Sequence, residues 1–133
     1  MDKAKKDGVG YARCSTYEVK IYCGLRVGYG DTVMDEGAAR LICREFANAR
    51  KTCVSVTCTA FEYPGGDEPG IIVGFINYPR FPKKEDHIRD DAYELARLLM
   101  VGLKQFRVSI VTPECTTTLS NHALLDEMGE PRE

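Results

Sequence analysis

An α+β fold is expected from three observations. Several short stretches alternate apolar and polar residues, two longer stretches repeat apolar residues at helical spacing, and the two kinds occur in the order strand, helix, strand, strand, helix, strand. "YEVKIYCGLRV" (17–27) sets Val19, Ile21, Cys23, Leu25 and Val27 against Glu18, Lys20, Tyr22 and Arg26, the pattern of a strand with one buried face. "MDEGAARLICREFANARK" follows, with Ala38, Leu41, Ile42, Glu45 and Ala49 on one helical face and Thr32 or Asp35 as its cap. "TCVSVTCTAFEY" (52–63) is rich in β-branched residues, and "IIVGFINY" (71–78) is almost continuously apolar. The pair reads as a hairpin around a Pro64 to Gly70 loop. Pro79 and Pro82 end the sheet, and a second helix is expected from about Glu85 to Lys104, with Ile88, Ala92, Leu95, Leu99 and Leu103 on one stripe. "FRVSIVT" (106–112) is the last clear strand. With right-handed crossovers, βαββαβ gives the ferredoxin-like arrangement, a four-stranded antiparallel sheet with two helices on one face. "CTTTLS" is available as an extra C-terminal edge strand.

One domain accounts for the length. The chain has 133 residues, 44% of them apolar, enough for one sizeable core. Residues 17–120 are read as that domain, 1–16 as a flexible N-terminal arm and 121–133 as a loose acidic tail. A formal charge of −2 argues against a long nucleic acid as partner and leaves room for a small anionic ligand. With no long apolar run and no apolar segment behind the charged N-terminus, neither a membrane span nor a secretory signal is expected, which places the chain in the cytosol. The six cysteines are then read as reduced, mostly buried thiols. Cys53 and Cys58 lie five apart on a strand and so on opposite faces, no CxxC pair occurs, and His87 and His122 have no second ligand at metal-binding spacing. Neither a metal nor a cofactor is expected.

Two helices cover one face of such a sheet. The other face would carry Lys20, Tyr22, Arg26, Ser55, Thr57, Thr59, Arg107 and Ser109, and is expected to be covered by another copy in a homodimer or higher homo-oligomer. Two loops at strand ends draw notice. In "INYPRFP" (76–82) two prolines limit the freedom of Arg80 and Phe81 before binding, which suits a ring that stacks on a base and a cation that meets phosphate, with Asn77 placed to read a base edge. The same residues also read as a strand-to-helix connector whose Phe81 plugs the core. "GLRVGYGD" (24–31) brings Arg26 and Tyr29 beside three glycines. It lacks the G-x-x-x-x-G-K-[ST] pattern, so a glycine-rich bend competes with a phosphate site.

"KIYCGLRVGYG", "CVSVTCTAFEYPGGDEPGIIVGFINYPRFP" and "QFRVSIVTP" together resemble the first Thoeris anti-defence family of phage proteins, over about residues 17 to 120. The resemblance implies a sponge for cyclic ADP-ribose isomers in the host bacterial cytosol, a small cyclic nucleotide held near a subunit interface and left uncleaved, so that the protein is not an enzyme. It implies Phe81 for base stacking, Arg107 for the diphosphate, Asp91 for a ribose hydroxyl, and Arg26 at a second site for cyclic oligonucleotides. Arg80, Asn77 and Tyr29 complete the candidate set from the loops. A structural or protein-binding ferredoxin-like module is the alternative. A nucleotide hydrolase ranks below it, because the sequence offers no paired histidines and no nucleophile beside a base.

Overall fold

The computed structural model describes residues 7–132. Part of the expected N-terminal arm, residues 1–6, lies outside the described residues. The elements are β1 (Glu18–Gly24), α1 (Glu36–Arg50), β2 (Ser55–Tyr63), β3 (Gly66–Ile76), α2 (Glu85–Gly102), β4 (Arg107–Val111), β5 (Thr116–Ser120) and α3 (His122–Glu127). All pairings are antiparallel, in the order β2-β3-β1-β4-β5. The first four strands are compatible with a ferredoxin-like arrangement. Among the described residues the sheet has five strands, the fifth being the extra C-terminal edge strand that "CTTTLS" made available, and there are three helices where two were expected.

The odd-numbered residues of β1 face the helices. Val19, Ile21 and Cys23 meet Ile71, Val73 and Phe75 of β3 and Val108 and Ile110 of β4, all essentially buried. Above them α2 buries Ile88, Ala92, Leu95, Ala96, Leu99 and Met100. Each large aliphatic removed from water here contributes about 1.5–3 kcal/mol before conformational entropy is counted. In α1 the buried residues are Ala39, Cys43 and Phe46, while Leu41 stays 49% exposed. The apolar stripe is thus rotated from the face expected. Phe46 makes the difference by packing edge-on against Phe75, with ring centroids 6.4 Å apart. Asp35 is the cap, accepting from Gly37 N–H at 3.1 Å.

The Pro64 to Gly70 loop contracts to two residues, because Tyr63 pairs directly with Gly66. Pro64 supplies the fixed φ of a turn's second position and Gly65, at φ +87°, the left-handed third. "GDEPG" is therefore strand, and Pro69 fits because it lies at the end of β1, where its carbonyl accepts from Leu25 N–H at 3.0 Å. The segment read as a loose tail contains α3. Asn121 caps it by accepting from Leu124 N–H at 3.1 Å, and Leu125 is fully buried. The six thiols are not mostly buried as expected: Cys23 and Cys43 are buried and Cys14 is half-buried, whereas Cys53, Cys58 and Cys115 are exposed. No helix among the described residues is long and apolar enough to cross a membrane.

Candidate functional site on the open sheet face

Helices cover one face of the sheet, and the register defines the other. Tyr22 lies between Ile72 of β3 and Ser109 of β4, and beyond it Gly24 of β1 faces Gly70 of β3. A side chain at either glycine would collide with its neighbours. A Cβ at Gly24 would fall 2.6 Å from a Glu68 carboxylate oxygen and 3.1 Å from Gln105 Oε1, and one at Gly70 would fall 2.2 Å from Cε2 of Phe61. The two glycines therefore floor a trough, with Glu68 and Phe61 folded across it and Tyr22 beside Phe61 at 6.5 Å between ring centroids.

The polar groups at the trough, Glu68 and Gln105, are fixed by hydrogen bonds elsewhere. Glu68 accepts from the Arg26 backbone N–H at 3.2 Å. The Arg26 guanidinium donates to the carbonyl of Asp67 at 3.1 Å and of Gly30 at 3.5 Å, tying the β2–β3 hairpin to the glycine loop. Gln105 is buried and spends its amide N–H groups on the carbonyls of Arg26 (2.9 Å) and Leu103 (3.0 Å), which turns Oε1 toward the trough. The trough opens into a groove of about 410 Å³ whose lining includes Arg26, Tyr29, Asp31, Tyr63, Asp67 and Glu68. That volume is in the small-ligand range of roughly 300–1,000 Å³. Tyr29 is 71% exposed and rests edge-on against Phe106 at 5.0 Å, and Gly28 at φ +56° allows that approach. Carboxylates suited to hydroxyls or a cation, rings suited to a purine and a guanidinium suited to a carboxylate thus share one end of the sheet.

The sequence-derived candidates divide between the two ends. Arg26 and Tyr29 line the groove, and Arg107 begins β4 at the same end, paired with Ser120. Phe81, Asn77 and Asp91 meet at the opposite end, about 20 Å away along the seven residues of β1. The space they line is about 10 Å³, room for a single water. Asn77 donates to Ser15 O and accepts from Lys83 N–H, both at 2.9 Å, so its amide is used within the chain. Phe81 stacks on Tyr78 at 5.2 Å and is 42% exposed, so it neither plugs the core nor faces the trough. Arg80 is exposed at the turn. Asp91 is buried and gathers Arg50 at 2.9 Å, His87 at 3.6 Å and Lys83 at 3.8 Å, an arrangement that braces the proline loop between the helices. Within one chain, Phe81 and Asp91 do not join Arg107. Sequence reading passed over Asp67, Glu68 and Gly70 because "PGGDEPG" looks like turn material until Gly66–Ile76 is known to be strand, and over Phe61, Tyr63, Gln105 and Gly24 because nothing in their own segments brings them together. No group of His, Cys, Asp and Glu among the described residues could hold a metal ion.

No protein-family model and no curated protein matches this chain. Two solved structures share its fold. One is a phage SAM lyase in the apo state, with TM-score 0.61 and 18% identity over 79% of this chain and 89% of the other. The second is a phage SAM lyase in complex with S-methyl-5'-thioadenosine, with TM-score 0.61 and 15% identity over 84% and 95%. Both neighbours are enzymes and neither is a Thoeris sponge. This overturns the expectations that the chain sequesters a cyclic nucleotide unaltered and that it is not an enzyme. A nucleoside-sized ligand in one neighbour agrees with the coarser expectation of a small-molecule binder.

Proposed function

We propose that this chain is a lyase that cleaves S-adenosylmethionine to S-methyl-5'-thioadenosine at the trough on its open sheet face. The observation that carries the reading is the position of Glu68 and Phe61 over the Gly24–Gly70 floor, in a fold shared with lyases of that substrate. In this reading the rings of Phe61 and Tyr22 take the purine, Glu68 accepts from the ribose hydroxyls, and Arg26 or Arg107 faces the amino-acid carboxylate. The homo-oligomer expected from the sequence is part of the same reading.

The chemistry asks little of the protein. The sulfonium already carries a neutral leaving group, a thioether. When a carboxylate oxygen of the substrate attacks its own γ-carbon, the C–O bond forms as the C–S bond breaks. The electron pair leaves on sulfur, and homoserine lactone and methylthioadenosine result without water or net proton transfer. Opposite charges on one molecule are annihilated along this path, so a surface that withdraws the substrate from water favours it. The protein's contribution is to fold the substrate so that oxygen and carbon meet in line. Removal of a β-proton with loss of the thioether would give vinylglycine instead, and would need a base. His87, near Asp91, stands at the far end of the sheet.

The test is direct. Protein incubated with S-adenosylmethionine should release methylthioadenosine over many turnovers, read by chromatography and mass spectrometry, with homoserine lactone as the four-carbon product. Glu68→Gln should lower kcat/KM by about 10- to 100-fold, matching a lost charge-assisted hydrogen bond of about 1.5–3 kcal/mol. Recovery of intact substrate from folded wild-type protein would end the proposal.

A further inference from the structure

The groove that opens from the trough carries an excess of negative charge. Among the described residues that line it, Arg26 is the one cation, against the carboxylates of Asp31, Asp67 and Glu68. None of these three has an ion-pair partner among the described residues, whereas Glu36, Asp91, Glu94, Glu114 and Asp126 elsewhere each have one. Glu68 is held at the floor by the Arg26 backbone N–H. Asp31 and Asp67 are exposed at the rim, and neither carboxylate accepts a hydrogen bond from a described residue. A second observation points the same way. Gln105 is only 5% exposed and its amide nitrogen is used on two carbonyls, yet its Oε1, turned to the trough floor, accepts from no described group. A buried acceptor of this kind is completed by a donor, not by an anion.

We infer that Asp31 and Asp67 make the groove select nucleosides by charge, admitting a cationic nucleoside ahead of its neutral counterpart. The inference rests on the lyase reading for the identity of that nucleoside. S-adenosylmethionine bears an ammonium, a sulfonium and a carboxylate, a single net positive charge, and methylthioadenosine bears none. The rim therefore attracts the substrate and loses its hold on the nucleoside when the C–S bond breaks. Position at the rim matters. A carboxylate set against the sulfonium would stabilise the charge that the reaction annihilates and so raise the barrier. A charge farther out draws the cation from solvent and acts on binding alone. For unit charges about 10 Å apart in water the Coulomb interaction changes an association constant about twofold, so the two rim carboxylates together contribute about fourfold at low salt. Little of that survives once salt cuts the Debye length to about 4 Å.

Two uncleavable probes separate charge from shape: S-adenosylhomocysteine, a neutral zwitterion, and sinefungin, in which a carbon bearing an ammonium replaces the sulfonium. By calorimetry at low salt the full chain should bind sinefungin the more tightly. Replacing both Asp31→Asn and Asp67→Asn should narrow the ratio of the two affinities about fourfold, and salt at about 0.5 M should narrow it as far in the wild type. Asp31→Glu with Asp67→Glu, which keeps both charges, should preserve it. With S-adenosylmethionine as substrate, the asparagine pair should lower kcat/KM about fourfold at low salt and leave kcat unchanged. A wild type that binds and discriminates the probes but cleaves nothing would remove the lyase reading and leave charge selection standing. Failure of sinefungin to bind, or an affinity ratio that neither the asparagine pair nor salt alters, would overturn the inference whatever the turnover.

Discussion

Replacing Asp91 by asparagine isolates the cost of a buried carboxylate that two cations and a histidine share. Its side chain is 4% exposed, between Arg50 from α1, Lys83 from the proline loop and His87 one turn earlier on α2. Arg50 is 45% exposed and half-way to solvent, so losing its partner costs it little. Lys83 cannot escape as easily. Its side chain is 20% exposed, and its Nζ is buried with no hydrogen-bond partner, leaving Asp91 as the carboxylate nearest it. Stranding that ammonium costs about 3–5 kcal/mol in a site that cannot relax, and a change of rotamer brings the expected loss to the lower end, about 3 kcal/mol. For 133 residues the unfolding entropy is about 0.28 kcal/mol/K, so Tm should fall by about 11 °C. Urea melts of wild type, Asp91→Asn, Lys83→Met and the double variant form the assay. Lys83→Met in the Asp91→Asn background should recover at least half of the loss, since it removes the stranded charge. A loss under about 0.5 kcal/mol, or a double variant no better than Asp91→Asn, would refute the reasoning. Turnover by the folded fraction should be unchanged, because Asp91 lies at the opposite end of the sheet from the trough.

Gly70→Ala should destabilise by about 1–3 kcal/mol, because its Cβ would fall 2.2 Å from Phe61 and 2.8 Å from the Cys23 carbonyl. Adding Phe61→Ala should recover only the part due to the ring, as a denaturation cycle will show. Burial pushes the Cys23 thiol up to about 12 and the Cys43 thiol to about 11. Iodoacetamide at pH 8 should therefore label Cys53 and Cys115 in the native protein and leave Cys23 and Cys43 untouched until it unfolds, by peptide mass mapping. Because those two values are raised, their contribution to stability is whole below the ordinary thiol value of 9.0 and is lost as pH climbs through 11 to 12, which alkaline melts will read. In acid the sign reverses. Hydrogen bonds from Arg97 to Glu94 and from Tyr17 to Glu114 hold both carboxyls below the ordinary 4.5, so their small contribution is present above 4.5 and fades as pH falls through the lowered values.

The sequence by itself determined the βαββαβ order, the buried faces of β1 and α2 and the availability of a fifth strand. Those features rest on periodicity, which each stretch carries whatever the rest of the chain does. It also marked Arg26, Tyr29 and Arg107, cations and a ring at strand ends. Tertiary structure decided the rest. "PGGDEPG" carries the composition of a loop, yet pairing with β2 over nine residues outweighs local preference and makes all but Pro64 and Gly65 strand. Only that register sets Glu68 over Gly24 and Phe61 over Gly70, residues separated by 44 and 9 positions in the chain. Asp91 shows the converse. Read alone it is a polar residue available to a ligand, and the fold buries it beside Arg50, Lys83 and His87, supplied from separate segments. The family resemblance made Phe81 and Arg107 partners on one nucleotide, but strand order sends them to opposite ends of the sheet. Residue chemistry is local, whereas a site depends on which distant residues the register makes neighbours.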